Sequence, residues 1–205
     1  ELIGNLEARV SERTQDLERR ALQLQVTAEV AREAAAIHDP NQLLQDVTRL
    51  ISERFGFYHV GVFLVEQIGQ GSDQPAYAVL RAANSKGGQR MLARGHRLRV
   101  GKEGIVGYAA ATGAPRIALD VGKDAVYFNN PDLPMTRSEL ALPLKVKERV
   151  IGVLDVQSHD PAAFTPGDLE TLQILADQLA IAIENARLLA ESQQSLRELE
   201  SLYGR

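Results

Sequence analysis

The most informative stretch of the sequence lies at residues 104–115 and reads Gly-Ile-Val-Gly-Tyr-Ala-Ala-Ala-Thr-Gly-Ala-Pro. Because Gly107 and the alanines that follow it are small, we expect a short helix that lies close to a neighbouring backbone. Thr112 and Gly113 are expected to end this helix, since glycine is preferred just beyond a helix C-terminus. Pro115 favours an extended start for the next segment. The stretch therefore predicts a helix, a turn and a strand in the middle of the chain.

Strand patterns lie on both sides of this unit. Residues 57–65 are apolar at both alternating sets of positions, which is typical of a central strand covered on two faces. Residues 77–84 predict a second strand, and residues 140–146 and 150–156 predict a hairpin. Pro143 indicates that its strand is irregular or near an edge of the sheet, because proline cannot donate a backbone hydrogen bond.

Two further helices begin at recognisable caps. Asp39 followed by proline predicts a helix that Gly56 ends, and Thr165 followed by proline predicts a helix that continues without a breaker to Leu202. The order of the elements predicts an α+β fold in which helices pack on an antiparallel sheet. The second half of the last helix is too polar to cover a core, so we expect it to leave the domain as a coiled coil.

The N-terminal segment has a seven-residue apolar repeat over residues 3–31, which predicts one long helix. Arg13 and Arg20 interrupt the companion positions of the repeat, so a coiled coil formed here would be weak. The alternative is a helix that lies on its own domain. We divide the chain into an N-terminal signalling helix at residues 1–37, a core domain at residues 38–187 and a C-terminal output helix at residues 188–205.

The composition excludes several classes of protein. The 205 residues carry a formal net charge of -4 and no cysteine, so a disulfide framework, a thiolate zinc site, a cysteine nucleophile and a thioether-linked chromophore are excluded. The acidic balance argues against a general nucleic-acid-binding protein. Because neither a membrane-spanning run nor a signal peptide is visible, we expect a cytoplasmic domain without direct membrane contact. The chain begins at Glu1, and we interpret it as a fragment of a protein that is either soluble or membrane-anchored.

Several blocks of the sequence resemble the GAF domain family in their order along the chain. They are residues 104–115, the two hairpin strands at 138–144 and 151–154, and the stretch at 164–186. With its flanking segments, the resemblance extends over about residues 40–187. The resemblance implies a six-stranded antiparallel sheet with helices on one face and, on the other, a ligand pocket roofed by loops. Residues 5–14 also resemble the linker helix that precedes GAF domains in bacterial sensor kinases.

The chemistries of this family can be compared with the sequence. Cyclic-nucleotide-binding members carry a motif of which only Phe164 and Asp168 are present here. Bilin attachment and the reduction of free methionine sulfoxide both use cysteine, which this chain lacks. Haem would need an axial histidine in a supporting pattern, and none surrounds His38, His59, His96 or His159. His59 is expected to be a hydrogen-bonded core residue instead. We therefore expect no cofactor, no bound metal and no catalytic residue, so that the domain itself is not an enzyme.

The candidate ligand-binding residues are Asp120, Tyr127, Phe128, Arg137, Ser138 and Asp155. The aromatic pair at residues 127–128 would line an apolar cavity, with Arg137 and Ser138 supplying polar groups; alternatively, the aromatic rings pack the pocket shut. Asp155 lies on an otherwise apolar strand, so its carboxylate is hydrogen-bonded, paired or at the end of a pocket, unless it marks a solvated strand end. The ligand is expected to be small and partly anionic.

A basic run extends from Arg81 to Lys102, with seven lysine or arginine residues and no acidic residue. In one interpretation it forms a rim that attracts an anionic ligand or an acidic surface. In the other, which we favour, it is a solvated loop and an edge strand on which basic side chains discourage sheet pairing.

The residues and the resemblance together predict a sensory GAF domain of a signal-transduction protein, in particular a histidine kinase of a two-component system. We expect a parallel homodimer through the terminal helices, which relays ligand binding to an effector domain in the same chain. The alternative function is a ligand-free structural spacer that promotes dimerisation. No nucleic-acid partner is expected.

Overall fold

The computed structural model describes residues 39–67, 75–123 and 129–203, together with six helical, solvent-exposed positions between residues 9 and 28. The predicted N-terminal coiled coil therefore lies almost entirely outside the described residues and stays a prediction. The division of the chain after residues 37 and 187 stays a prediction as well.

From residue 39 onward, the described residues form four α-helices and six strands, numbered here in chain order. The helices are α1 (Pro40–Phe55), α2 (Lys86–Ala93), α3 (Gly104–Thr112) and α4 (Pro166–Tyr203). The strands are β1 (His59–Gln67), β2 (Ala76–Ala83), β3 (Arg97–Arg99), β4 (Arg116–Ala118), β5 (Ser138–Val146) and β6 (Arg149–Ser158). Within these parts of the chain, no helix combines the length and the apolar character that crossing a bilayer requires.

The six strands form one antiparallel sheet in the order β3-β2-β1-β6-β5-β4. β1 and β6 occupy the middle of this sheet, as the doubly apolar pattern of β1 predicts. β4 pairs only with residues 139–141 of β5, so Pro143 lies beyond the end of that pairing and needs no donor on that side. The predicted α+β fold with a six-stranded antiparallel sheet and a long C-terminal helix is confirmed.

One face of the sheet carries α1 and α4. Val62 of β1, Leu142 of β5 and Leu154 of β6 belong to one buried apolar core with Leu44 of α1 and Leu175 of α4. Because side chains alternate along a strand, every second residue of these strands belongs to this core. The intervening residues face the other side of the sheet.

Both of these helices begin at the predicted caps. Asp39 Oδ1 accepts a hydrogen bond from the Asn41 backbone N–H at 2.9 Å, and Gly56 ends α1 with a φ of 72°. At the start of α4, Thr165 Oγ1 accepts from the Asp168 N–H at 3.2 Å, while the Asp168 carboxylate accepts from the Thr165 N–H at 2.9 Å. This reciprocal pair is a capping box, which fixes where the helix begins.

The opposite face of the sheet carries α2 and α3 over a second apolar core, to which Phe63 and Ile105 belong. The close approach predicted for α3 is present, because a Cβ at Gly107 would lie only 2.7 Å from the backbone oxygen of Arg99. Gly113 ends α3 with a φ of 64°. The predicted helix, turn and strand unit is thus confirmed, and it covers the half of the fold that contains the candidate site.

Candidate functional site

A cluster of polar side chains is buried between the sheet and the layer formed by α2 and α3. Its members are His59, Thr136, Glu139, Asp155 and Gln157, each at most 6% exposed. Burying polar groups costs free energy unless they are hydrogen-bonded. The partners of these side chains therefore decide what the cluster can do.

The strand register leaves space around Asp155. Asp155 of β6 lies opposite Gly61 of β1 on one side and opposite Ala141 of β5 on the other. Both neighbours are among the smallest residues, so neither covers the carboxyl group. The Asp155 side chain is nevertheless only 1% exposed, because the layer of α2 and α3 lies above it.

Gln157, two residues further along β6, holds Asp155 in place. It lies opposite His59 of β1 and Glu139 of β5. Its Nε2 donates to Asp155 Oδ2 at 2.7 Å, and its Oε1 accepts a hydrogen bond from the Thr136 hydroxyl at 2.6 Å. Because the carboxylate needs a donor and the hydroxyl needs an acceptor, these two bonds fix the orientation of the amide.

Asp155 and Glu139 form a pair of buried carboxyl groups. Their side chains are hydrogen-bonded to each other, which requires a shared proton because an ionised carboxylate only accepts. Burial raises the pKa of Asp155 to about 6, although the hydrogen bonds with Glu139 and Gln157 act in the opposite direction. The other oxygen of Asp155, Oδ1, has no hydrogen-bond partner among the described residues. The proton shared with Glu139 is therefore the hydrogen that remains available to this side of the pair.

His59 joins the cluster to α2. Its Nδ1 lies 2.7 Å from the Ser85 hydroxyl oxygen, which also caps α2 by accepting from the Gly88 N–H at 3.0 Å. Its Nε2 lies 3.8 Å from Asp155 Oδ2, too far for a hydrogen bond. Burial, and to a smaller extent the charge of His96, lowers the pKa of His59 to about 4. The ring is therefore neutral near pH 7, and the expected hydrogen-bonded core histidine is confirmed.

A small cavity lies against the carboxyl pair. Its volume is about 20 Å³, which is room for about one water molecule. Its polar wall consists of His96, Asn130, Glu139, Asp155 and Gln157, and its apolar wall includes Phe63, Met91 and Ile105. A cavity with a carboxyl group at one end and an apolar wall at the other can bind a molecule that has a hydrogen-bond donor and an apolar part.

The structure brings one of the six predicted site residues to this cavity, namely Asp155. Asp120 lies outside the wall, where its Oδ2 is 3.0 Å from Lys123 Nζ; the hydrogen bond from Lys123 holds its pKa below the usual value. Arg137 is exposed. Ser138 is buried, and its hydroxyl donates to the backbone oxygen of Asp160 at 2.6 Å. Tyr127 and Phe128 lie outside the described residues, so their predicted contribution stays a prediction.

Glu139, Gln157 and Asn130 line the cavity but were not expected from the sequence. A signal for Gln157 is present, because it lies two residues from Asp155 on the same strand and so shares its face. Glu139 follows once the hairpin register is known, since it pairs with Gln157. No comparable signal marks Asn130, which precedes β5 in an irregular segment.

The basic run is divided between ion pairs and a sheet edge. Arg90 Nε lies 3.0 Å from Asp132 Oδ1, and Arg94 pairs with the same carboxylate. Arg97 and Arg99 lie on β3, the outermost strand, with both side chains exposed. This placement supports the edge-strand interpretation. No lysine or arginine among the described residues lines the cavity.

Comparisons with known proteins agree with this fold. The family model described as the GAF domain matches residues 37–184. Among solved structures, the chain is similar to free methionine-R-sulfoxide reductase from Neisseria meningitidis in complex with its substrate, with 27% identity and a TM-score of 0.68 over 82% of this chain and 92% of that one. It is also similar to GAF domains of phosphoenolpyruvate-protein phosphotransferases. The one from Coxiella burnetii has 21% identity and a TM-score of 0.70 over 82% and 96% of the two chains. The one from Acinetobacter has 21% identity and a TM-score of 0.66 over 81% and 95%. A search of curated proteins gives no match.

The similarity to a reductase corrects one expectation. The sequence led us to expect that the domain is not an enzyme. The comparison contradicts this expectation, because a reductase with 27% identity has the same fold. The expectation rested on the absence of cysteine, which excludes only reactions that need a thiol of this chain. Within the described parts of the chain, no three histidine or acidic side chains converge as a metal site would require, and the expectation of no cofactor stays a prediction.

The family itself is decided by two independent observations. The match over residues 37–184 covers more than half of the 205 residues. A solved GAF domain has the same overall fold, with a TM-score of 0.66 over 80% of this chain and 88% of that one. The chain belongs to the GAF domain family.

Proposed function

We propose that this GAF domain is a sensory or regulatory module that binds a small molecule in the cavity beside Asp155. The observation that carries the proposal is the buried carboxyl group of Asp155 in the wall of that cavity, whose Oδ1 accepts no hydrogen bond from an N–H or hydroxyl group of the described residues. Native proteins pair almost all of their buried polar atoms. An unpaired carboxylate oxygen beside a cavity therefore favours a partner that arrives from solution.

The two faces of β6 provide a route from the cavity to α4. Asp155 faces the cavity, whereas its neighbours Leu154 and Val156 belong to the core that also contains Leu175 and Leu179 of α4. Because protein cores are tightly packed, a shift of β6 changes the surface on which α4 lies. Ligand binding would reach α4 in this way.

We also propose that the domain belongs to a multidomain, cytoplasmic signalling protein, in particular a histidine kinase, in which α4 leads to the effector. The exposed apolar side chains of α4 support a parallel homodimer. Ile174, Ile181 and Leu188 are spaced by seven residues and are about half exposed, at 46%, 50% and 50%. Such a spacing is typical of a coiled-coil seam. A structural spacer without ligand is the alternative function.

Native mass spectrometry of the purified chain tests the proposed function. We expect either a co-purified small molecule that is lost on denaturation, or a compound from a metabolite library that raises the melting temperature. Binding should also change hydrogen exchange in α4 if the relay exists. If the chain carries no molecule and no compound shifts its melting temperature, the spacer function replaces this proposal. Methionine sulfoxide belongs in the library, with an assay for its conversion, because a structurally similar enzyme acts on it.

A further inference from the structure

We propose that two copies of this chain associate through α4 in parallel and in register, and that Asn185 selects this arrangement. The inference rests on the proposed homodimer and adds the residues that decide its orientation, its register and the number of its copies. Three features of α4 support it: a continuous seam of exposed residues, a polar residue within that seam, and a row of acidic residues beside it.

The seam lies on the side of α4 that faces away from the sheet. Its members follow the alternating spacing of four and three residues that is typical of a coiled coil, and each of them is exposed. They are Ile174, Gln178, Ile181, Asn185, Leu188, Ser192, Ser195, Leu199 and Leu202. Leu175, Leu179 and Ile183, which belong to the buried core, lie on the opposite side of the helix. The sheet and the helices packed on it therefore leave the seam open along its whole length.

The order of apolar and polar residues along the seam defines its register. In a parallel pair without a shift, each leucine of the seam lies opposite the same leucine of the second copy, and each serine lies opposite a serine. A shift of seven residues would place Leu188 opposite Ser195 of the partner subunit and Leu199 opposite Ser192 of the partner subunit. Because an apolar side chain gains more by burial against another apolar side chain than against a hydroxyl group, the pair without a shift is favoured.

Asn185 lies in the middle of the seam and decides the orientation. Its amide has both donors and an acceptor, and its side chain makes no hydrogen bond within the described part of the chain. Two copies of this amide can therefore bond to each other where they meet in one layer of a parallel dimer. Reversing one helix exchanges the three- and four-residue spacings, so Asn185 would lie opposite an apolar position and its buried amide would lack a partner. A single asparagine in such a seam selects the dimer and its register at a cost in stability.

A row of acidic residues beside the seam also disfavours the antiparallel pair. Its members are spaced by seven residues and are Asp177, Glu184, Glu191 and Glu198. Arg149 and Arg187 pair with Glu184, and Arg187 also pairs with Glu191, whereas Asp177 and Glu198 accept hydrogen bonds from glutamine side chains. In an antiparallel pair the acidic rows of the two copies would face each other and repel. In a parallel pair each row lies instead beside Leu189 and Leu196 of the partner subunit. In the single chain these two leucines are 41% and 58% exposed.

Cysteine cross-linking tests the orientation and the register, because the chain has no cysteine of its own. Ser192→Cys places a thiol in the seam, and Ser201→Cys places one at an exposed position of the same helix outside the seam. Under mild oxidation of the full chain, Ser192→Cys should form a disulfide-linked dimer, with a yield at least about tenfold above that of Ser201→Cys. The reason is that a disulfide requires Cα atoms within about 7 Å, which only residues of one layer provide.

Asn185→Leu tests the role of the asparagine. In sedimentation equilibrium, association should tighten by roughly 10- to 100-fold, because a leucine replaces an amide in the seam. Species larger than the dimer should appear as well, since the polar layer that selects the dimer is removed. Gln193→Leu adds the same side chain at an exposed position outside the seam and should change neither property.

The outcomes separate this inference from the proposals on which it rests. A dimer in which Ser192→Cys does not cross-link would overturn the parallel, in-register arrangement and would leave the homodimer intact. A single dimeric species of Asn185→Leu, cross-linked as in the wild-type background, would show that Asn185 does not select the arrangement. If the full chain is a monomer, the homodimer and this inference fail together, whereas ligand binding beside Asp155 is decided separately by native mass spectrometry.

Discussion

Asp155 and His59 should have opposite effects on how stability depends on pH, and each effect can be removed by one substitution. Asp155→Asn keeps the shape of the side chain and removes its titration, and His59→Gln replaces the imidazole with a neutral amide. The two groups lie 3.8 Å apart, so each variant is compared with the wild type on its own. In the wild type the two effects should largely cancel.

Titration of Asp155 should destabilise the folded state as the pH rises. Its pKa is raised from the ordinary 3.8 to about 6, so below pH 3.8 both the folded and the unfolded state hold the proton. Above pH 6 the folded state must hold a buried carboxylate, and the free energy of unfolding falls by roughly 3 kcal/mol. His59 acts in the other direction, because its pKa is lowered from 6.5 to about 4. As the pH falls from 6.5 to about 4, the unfolded state binds a proton at His59 and the folded state does not, so the free energy of unfolding falls by roughly 3 kcal/mol.

Urea denaturation followed by circular dichroism between about pH 4 and pH 7 measures both effects. The stability of Asp155→Asn relative to the wild type should rise by roughly 3 kcal/mol across this range, and that of His59→Gln should fall by a similar amount. Asp177→Asn, an exposed carboxylate of α4, provides a control that should show no pH-dependent difference. If the difference for Asp155→Asn is flat or falls with pH, Asp155 is not a buried carboxyl group with a raised pKa, and the reasoning is refuted.

Two further predictions concern packing and assembly. Gly107→Ala should lower the free energy of unfolding by about 1 to 3 kcal/mol, because the new Cβ would lie 2.7 Å from the backbone oxygen of Arg99. Gly122→Ala, where the nearest atom would be 3.6 Å away, is the control, and an unchanged melting temperature for Gly107→Ala would contradict the close approach of α3. Light scattering should find the full chain dimeric and the core domain without its terminal helices monomeric. Leu188→Asp should weaken the dimer, and Glu200→Gln, an exposed position away from the seam, should not. Two monomers, or two equally stable dimers, would argue against the coiled coil.

The elements that depend on local signals could be predicted from the sequence. Asp39 and Thr165 act on backbone groups within the next three residues, so their effect can be read without a fold. The sequence does not predict the helix α2, because Gly87 and Gly88 lower its helix propensity. The structure shows that Gly87 is required by packing, since a Cβ at this position would clash with the backbone oxygen of Asp132. A contact so distant in sequence leaves no local signal.

The candidate site was predicted only where a polar residue interrupts an apolar strand. Asp155 has this property, and the structure places it in the cavity. Glu139 lies at the start of β5, and its face is decided by pairing with β6 rather than by its own neighbours. The charge of Arg137 suggests a ligand contact, but this residue precedes β5 and its side chain is exposed. Its backbone is hydrogen-bonded to Val121 and Ser158. Charge alone does not indicate the direction of a side chain.

The length of α4 turns it into a lever arm. The helix has 38 residues, of which Ala186 is the last buried one in the part described. At about 1.5 Å per residue, the portion from Ala186 to Tyr203 extends roughly 25 Å beyond the core. Since the backbone hydrogen bonds keep this portion straight, a tilt of about 5° at the sheet displaces Tyr203 by roughly 2 Å. A displacement of that size exceeds the gap that tightly packed side chains tolerate. A small movement of the sheet is therefore large enough at the far end of the helix to change the contacts made there.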